Sequence, residues 1–250
     1  WIELSKKAYQ NNLAFTRKRI SSKVILKLVV KANAYGHGMK EIVKMGTSLG
    51  ESSFAVHSFE EAIKVKEISG STDILIMGPV LNKDLGGIIE NDFQLAVFNL
   101  EVLKTLNNLT AEQQQPAKLH LKIETGTNRL GILEKDLNDY LTLISGNPYL
   151  ILDGLYTHFA NIEDTTDHTF AFKQLEKFNL IRQEVLNSGF SLFRSHSACS
   201  AAILLFPETH LDMVRLGISQ FGLWSSKETF LSYKIQHASN GEDVLQPVLS

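Results

Sequence analysis

The sequence is poor in cysteine, in net charge and in long apolar runs, and each shortage excludes a class of protein. Cys199 is the single cysteine in 250 residues, which excludes an internal disulfide framework and is typical of the reducing cytoplasm. The net charge of −2 gives no electrostatic basis for binding nucleic acid or an anionic membrane. No apolar run approaches the length of a membrane span, and the first residues show no export signal. We therefore expect a cytoplasmic protein without nucleic-acid or membrane partners.

Strand and helix patterns alternate strictly along the chain. Apolar runs predict eight strands, at residues 24–30, 54–57, 74–77, 95–98, 119–123, 151–157, 193–196 and 213–216. Seven helices are predicted between them, at residues 39–49, 60–69, 83–90, 100–109, 135–144, 169–188 and 198–205. This alternation favours an α/β fold, a parallel (β/α)8 barrel of the TIM type. An open doubly wound sheet is the alternative, because alternation alone does not prove closure.

The two ends of the chain complete this interpretation. Ser5 can cap a helix that runs to about Ile20, and we expect it to cover the gap between strands eight and one, since no long amphipathic helix follows Leu216. Beyond Trp224 the pattern changes, and residues 231–250 read as the beginning of β structure. We therefore expect residues 1–230 to form the barrel and residues 231–250 to begin a C-terminal β domain.

In such a barrel, functional side chains lie where the strands end. The predicted strand ends hold Lys31, His57, Gly78, Lys122, His158, His196 and Arg215. Cationic and imidazole groups gathered at one rim indicate an anionic ligand. The alternative is a set of separate surface residues with no common purpose. No metal site is predicted.

The segment at residues 29–38, Val-Val-Lys-Ala-Asn-Ala-Tyr-Gly-His-Gly, carries the most specific chemistry. Burial at the end of an apolar strand favours the unprotonated amine of Lys31. That form can attack an aldehyde and hold it as a Schiff base. The Tyr35 hydroxyl, followed by glycines and a helix, suits a nearby phosphate. Taken alone, Lys31 has a plainer interpretation, because most lysines that end a strand are solvated.

Two later segments add candidates. Arg215 emerges from an apolar strand and can project inward, while Gly217 allows a ligand to approach the backbone closely. The alternative for Arg215 is an ion pair with a carboxylate at the barrel end. Ser200, near the start of a helix, can donate to a phosphate, and plain N-capping is an equal alternative.

These segments, with Leu-Lys-Ile-Glu-Thr-Gly-Thr-Asn-Arg-Leu-Gly at residues 121–131, resemble the alanine racemases, which are fold-type III pyridoxal-phosphate enzymes. The resemblance runs along the whole chain and implies pyridoxal 5'-phosphate as the cofactor. It implies that Lys31 binds the cofactor covalently, that Arg215 faces the pyridine nitrogen and that Arg129 contacts the phenolic oxygen. The phosphate would be held by Tyr35, Ser200, Gly217 and Ile218.

The resemblance also assigns roles to two supporting residues. Lys122 matches a lysine that is often carbamylated and orients Arg129, with an unmodified salt-bridging lysine as the alternative. His158 matches a histidine that hydrogen-bonds Arg215. The family usually has asparagine where this chain has Cys199, and Glu124, Thr127 and Asn128 also vary from the commonest residues.

The activity implied is interconversion of L- and D-alanine, which supplies D-alanine for the peptidoglycan of the cell wall, with Lys31, Arg215 and His158 as catalytic residues. Racemisation needs a second acid–base group on the opposite face of the substrate. In the family this is a tyrosine from the C-terminal β domain of the partner in a homodimer, so we expect this chain alone to be inactive. The alternatives are a non-enzymatic pyridoxal-phosphate-binding homeostasis protein and a racemase for another amino acid such as serine.

Overall fold

Short parallel strands form one eight-stranded sheet in the described part of the chain. The structure is a computed structural model that describes residues 2–71, 73–191, 194–237 and 245–250. The strands are β1 (Ile25–Val29), β2 (Phe54–Val56), β3 (Ile74–Ile76), β4 (Gln94–Val97), β5 (Ala117–Lys122), β6 (Leu150–Tyr156), β7 (Arg194–His196) and β8 (Met213–Leu216). Their order is β7-β6-β5-β4-β3-β2-β1-β8.

Backbone hydrogen bonds bring the two ends of this sheet together. Asp212 N–H, just before β8, donates to the Ser195 carbonyl at 3.0 Å, and Arg215 N–H donates to the Ala198 carbonyl at 3.1 Å. The sheet therefore curls into a nearly closed barrel, with β7 beside β8. The predicted (β/α)8 barrel is confirmed, and the open doubly wound sheet is wrong. The predicted start of the seventh strand at Phe193 lies outside the described residues.

Helices alternate with the strands. The helical segments are α1 (Lys6–Arg17), α2 (Lys31–Tyr35), α3 (Met39–Ser48), α4 (Phe59–Ser69), α5 (Leu85–Glu90), α6 (Leu100–Gln113), α7 (Leu137–Ser145), α8 (Thr169–Asn187), α9 (Ser200–Leu205) and α10 (Lys227–Gln236). Segment α2 is a left-handed turn, because residues 32–35 have positive φ angles. Ser5 caps α1 by accepting from Ala8 N–H at 3.1 Å. None of the helices in the described residues is long and apolar enough to cross a lipid bilayer.

Helix α1 lies beside β8 and β1, as the sequence predicts, although it ends at Arg17 and not at Ile20. The Tyr9 hydroxyl donates to Gln220 Oε1 at 3.0 Å, just after β8. The Gln220 amide nitrogen in turn donates to the carbonyls of Val29 in β1 and Leu216 in β8, both at 2.9 Å. One buried glutamine thus connects the first helix to the strands that it covers.

The prediction of β structure from Leu231 is wrong for residues 231–236, which belong to α10. The apolar residues of this helix do not mark its buried face, because Leu231 and Ile235 are 52% and 68% exposed while Thr229 is buried. Helical periodicity is therefore hidden in the sequence. Near the C-terminus, Leu249 forms an isolated antiparallel bridge with Leu4. The division into domains at residue 230 stays a prediction.

The barrel interior differs from the layer between strands and helices. That outer layer is a large apolar core, whereas the interior holds a small separate apolar cluster of Val29, Ala55, Leu75 and Met213. Several fully buried polar side chains lie in the strands beside this cluster: Lys27, Gln94, His120 and His196. Because buried polar groups are costly unless hydrogen-bonded, the interior must be organised around specific polar contacts.

Candidate active site

The chain leaves β1 through a left-handed helical turn. Ala32, Asn33, Ala34 and Tyr35 have φ angles between 51° and 54°. For residues with a Cβ this conformation costs roughly 1–2 kcal/mol each relative to the right-handed helix. Such strain persists only where the surroundings hold it, and it concentrates at functional sites. Nothing in the sequence predicts this turn, because none of the four residues is glycine.

The carboxylate of Glu61, in the first turn of α4, holds this turn in place. One of its oxygens accepts from Ala32 N–H at 2.7 Å, and the other accepts from His57 N–H at 2.7 Å. The side chain of Asn33 accepts from Met39 N–H at 2.9 Å and fixes the far end of the turn to α3. The two bonds to the charged Glu61 carboxylate offset part of the strain. They also tie the end of β1 to the end of β2.

The turn places Lys31 at the mouth of the barrel, where its side chain lines a cavity of about 540 Å³. Burial lowers the pKa of Lys31, the Arg129 guanidinium lowers it further, and the Glu61 carboxylate opposes both. The unprotonated amine is therefore more accessible than in a solvated lysine. The cavity is also lined by the other predicted site residues, namely Tyr35, Lys122, Arg129, His158, Ser200, Arg215, Gly217 and Ile218, together with the rim residues His57 and Gly78.

One side of the cavity forms a polar cradle. The Ser200 hydroxyl accepts from Gly217 N–H at 3.0 Å and from Ser219 N–H at 3.3 Å. A Cβ at Gly217 would lie 2.9 Å from the Tyr35 hydroxyl, so only glycine leaves this approach open. Cys199, and not Ser200, occupies the N-cap position of α9, and it makes no side-chain cap bond. Plain N-capping therefore does not account for Ser200.

Arg215 is buried and lines the same cavity. Its guanidinium donates to the carbonyl of Thr157 at 2.9 Å, to the carbonyl of Ser197 at 3.0 Å and to Nδ1 of His196. Within the described residues no carboxylate forms an ion pair with it, which removes that alternative. A buried, hydrogen-bonded guanidinium with spare donors suits a ring nitrogen or an anion.

The predicted hydrogen bond between His158 and Arg215 is not formed; His196 is the partner instead. The reason is topological. Backbone hydrogen bonds place β7, which His196 ends, next to β8, whereas His158 follows β6, one strand further away. Burial, together with the cations Arg215 and Arg129, lowers the pKa of His158 to about 3. His158 is consequently a neutral imidazole at physiological pH.

Lys122 ends β5 and is buried among other cations. Burial and the nearby Arg129 and Arg215 lower its pKa to about 8. Its Nζ lies 5.7 Å from the ring centre of Phe98, and in the described chain no carboxylate lies within ion-pair distance. The geometry therefore does not support a salt-bridging lysine, and burial with the neighbouring cations disfavours the charged form of Lys122.

Sequence reasoning missed the supporting roles of three residues. Tyr156 stacks on His196 with ring centres 4.6 Å apart, and the Arg215 guanidinium lies 5.1 Å from the Tyr156 ring. In the sequence, Glu61 is recognisable only as an acidic residue near the start of the helix predicted at residues 60–69. The alternation of polar residues in β5 could have indicated an interior polar face, but no pattern points to Glu61, because its partners are backbone amides.

Fold and site together define a class: a (β/α)8 barrel whose mouth gathers several cationic side chains around a half-buried lysine. A sequence model of the family described as "Alanine racemase, N-terminal domain" matches residues 4–225. The chain belongs to that family, as its sequence motifs predict.

Individual relatives and solved structures point to the same family. The alanine racemase of Leptospira interrogans serovar copenhageni is 36% identical over 253 residues, covering 100% of this chain and 63% of the relative. The alanine racemase of Clostridium difficile 630 superposes with a TM-score of 0.90 at 25% identity, covering 100% of this chain and 66% of that one. A histidine racemase from Leuconostoc mesenteroides superposes with a TM-score of 0.86 at 25% identity, covering 100% of this chain and 64% of that one. The chain thus spans less than two thirds of its curated relatives' length.

We expect Glu61→Gln to loosen the left-handed turn. An amide side chain offers one acceptor oxygen in place of two, so one of the Ala32 and His57 amides loses its partner. The loss of a hydrogen bond to a charged group is expected to cost about 1–3 kcal/mol of unfolding free energy. Urea denaturation measures this cost, and hydrogen exchange should show faster exchange at Ala32 or His57.

The matched control is Glu60→Gln, which alters the exposed neighbouring carboxylate. Its unfolding free energy and amide exchange should stay close to those of the unmodified protein. Equal effects of the two substitutions would show that the carboxylate of Glu61 has no special part in holding the turn.

Proposed function

We propose that this chain is the cofactor-binding barrel of a pyridoxal-phosphate-dependent alanine racemase. The observation that carries the proposal is the convergence of Lys31, Tyr35, Ser200, Gly217 and Arg215 on one cavity. The residues fit the cofactor: an amine for an aldehyde, a cradle at Gly217 that a Cβ would obstruct for a phosphate, and a guanidinium for a ring nitrogen. The sequence family supports the same cofactor.

Pyridoxal phosphate, when bound, supplies an aldehyde that an amine can capture and a ring that withdraws electrons from the α-carbon of an amino acid. Lys31, with its lowered pKa, provides the unprotonated amine and accepts the α-proton from one face. Burial raises the pKa of Tyr35 to about 12, so its hydroxyl keeps its proton and donates to the phosphate.

Arg215 governs how strongly electrons are withdrawn. A guanidinium can only donate hydrogen bonds, so Arg215 would hold the ring nitrogen as an unprotonated acceptor. The bound ring would then withdraw electrons only modestly, which would suit racemisation and disfavour decarboxylation and transamination. Arg129 lines the same cavity and is assigned to the phenolic oxygen.

The whole protein's activity extends this proposal. A second acid–base group must act on the opposite face of the substrate, and we assign it to a tyrosine of a C-terminal β domain from the partner in a homodimer. The substrate is alanine, and the product would supply the peptidoglycan of the cell wall from the cytoplasm. Relatives named as alanine racemases support this assignment, whereas the histidine racemase neighbour makes histidine the specific competitor.

Cofactor capture by Lys31 is directly testable. We expect the protein to form a coloured complex with pyridoxal phosphate that borohydride fixes onto Lys31, as peptide mapping would show. Lys31→Met should abolish fixation. Lys118→Met, which removes a half-buried lysine at the other end of the same barrel, should not. Fixation at another lysine, or unchanged fixation in Lys31→Met, would refute the cofactor assignment.

The protein with bound pyridoxal phosphate can then be used to compare candidate substrates. Alanine, serine and histidine are each titrated while the absorbance of the complex is followed. Alanine should change the spectrum at the lowest concentration. A stronger response to serine or histidine would overturn the substrate while leaving the cofactor assignment intact.

We also propose that Lys122 carries a carbamate. Its neutral amine would bond to the carbon of carbon dioxide and release one proton, and the resulting anion would lie beside Arg129 and Arg215, the cations that lower the pKa of this lysine. We expect ¹³C NMR in labelled bicarbonate to show a carbamate signal. Lys122→Gln should lose that signal. A spectrum without any signal dependent on Lys122 would contradict the modification.

A further inference from the structure

A line of buried side chains runs from Arg215 down through the barrel. His196 accepts from Arg215 at Nδ1, and its Nε2 lies 2.9 Å from Nδ1 of His120. His120 Nε2 lies 3.4 Å from a carboxylate oxygen of Asp153. Both histidines are fully buried. The four residues come from β8, β7, β5 and β6, so the line joins four successive strands of the barrel.

Only one arrangement of protons gives every hydrogen bond in this line one donor and one acceptor. Arginine can only donate, so Nδ1 of His196 must be an acceptor, and a neutral imidazole then carries its proton on Nε2. That proton points to Nδ1 of His120, which must also be an acceptor. His120 therefore carries its proton on Nε2 and donates it to Asp153. A protonated His120 would place two donors face to face, so both rings are neutral.

The lower end of the line is anchored to a second set of charges. Arg194 Nη1 lies 3.4 Å from Asp153 and 3.1 Å from Asp73, and Lys27 Nζ lies 2.9 Å from Asp73. The backbone also makes room for the line. A Cβ at Gly154 would lie 2.2 Å from Nδ1 of His120, so a larger residue in β6 would displace the imidazole.

We propose that His120 and Asp153 are positioning residues that act through His196 on Arg215. The guanidinium has five N–H donors, and three of them donate to His196 and to the carbonyls of Thr157 and Ser197. The guanidinium is thus held in one orientation without a carboxylate in direct contact. The inference rests on the proposed function for its consequence: the fixed guanidinium presents its remaining donors to the pyridine nitrogen.

The first test needs no cofactor. In protein with ¹⁵N-labelled histidine, NMR couplings report which ring nitrogen carries the proton. We expect His120 and His196 both to be neutral, with the proton on Nε2. A proton on Nδ1 of either ring, or a charged ring near neutral pH, would overturn the proposal whether or not pyridoxal phosphate binds.

The second test compares two substitutions of His120. His120→Asn places an amide oxygen near the former Nδ1 and keeps an acceptor for His196, whereas His120→Phe fills the space without one. We expect His120→Phe to weaken pyridoxal phosphate binding roughly tenfold, the scale of one lost hydrogen bond, and to shift the absorbance of the bound cofactor. His120→Asn should keep most of the affinity and the original spectrum.

The control is His210→Phe, which removes a buried histidine outside the line that contacts the Ile203 carbonyl at 3.1 Å. It should leave affinity and spectrum unchanged. If Asn and Phe at position 120 act alike, or if His210→Phe has the same effect, His120 has only a packing role. Failure of the unmodified protein to bind pyridoxal phosphate would instead refute the proposed function, and the tautomer measurement would still decide the inference.

Discussion

The carboxylate of Glu61 is the contact on which the site depends. It accepts hydrogen bonds from two backbone amides and thereby holds four consecutive residues in a left-handed conformation. Those residues turn the chain out of β1 so that Lys31 and Tyr35 line the same cavity. Without an anchor of this kind the strain, roughly 1–2 kcal/mol for each residue, would favour a different backbone path. Rigid presentation of an amine is thus obtained at a local cost in stability.

The second constraint is electrostatic. Lys31, Lys122, Arg129 and Arg215 line one cavity, and burial with mutual repulsion lowers the pKa of both lysines. Repulsion between these cations is electrostatically unfavourable, and an anion such as a phosphate, a carboxylate or a carbamate would relieve it. Burial lowers the pKa of Arg215, but a guanidinium stays protonated in proteins, and this one is satisfied by hydrogen bonds to two carbonyls and to His196. The polar interior of the barrel therefore supports the cationic groups at its mouth.

The sequence predicts the barrel well, because apolar runs separated by helical patterns are strong local signals. Every residue that the sequence assigns to the site lines the cavity, because the family motifs and the predicted strand ends point to the same positions. It fails where local signals are absent. The left-handed turn contains no glycine, α10 exposes its leucine and isoleucine, and the partner of Arg215 depends on which strands adjoin.

His158 and His196 illustrate that last limit. Each follows or ends an apolar strand, so the sequence treats them alike. Only the closed sheet shows that β7 lies beside β8 and gives His196 the contact. Polar residues alternate at positions 118, 120 and 122 of β5, which points to one face of the strand. The alternation does not show which side chains these residues contact across the barrel interior, because those contacts depend on the order of the strands.

The central claim is that Lys31 is an amine made available by burial at the barrel mouth. Competitive acylation of the cofactor-free protein across a range of pH, read by mass spectrometry, gives the pH at which Lys31 becomes reactive. We expect Lys31 to titrate below a free lysine side chain, because burial and Arg129 disfavour its ammonium form. Titration at or above the value of a free lysine would contradict it.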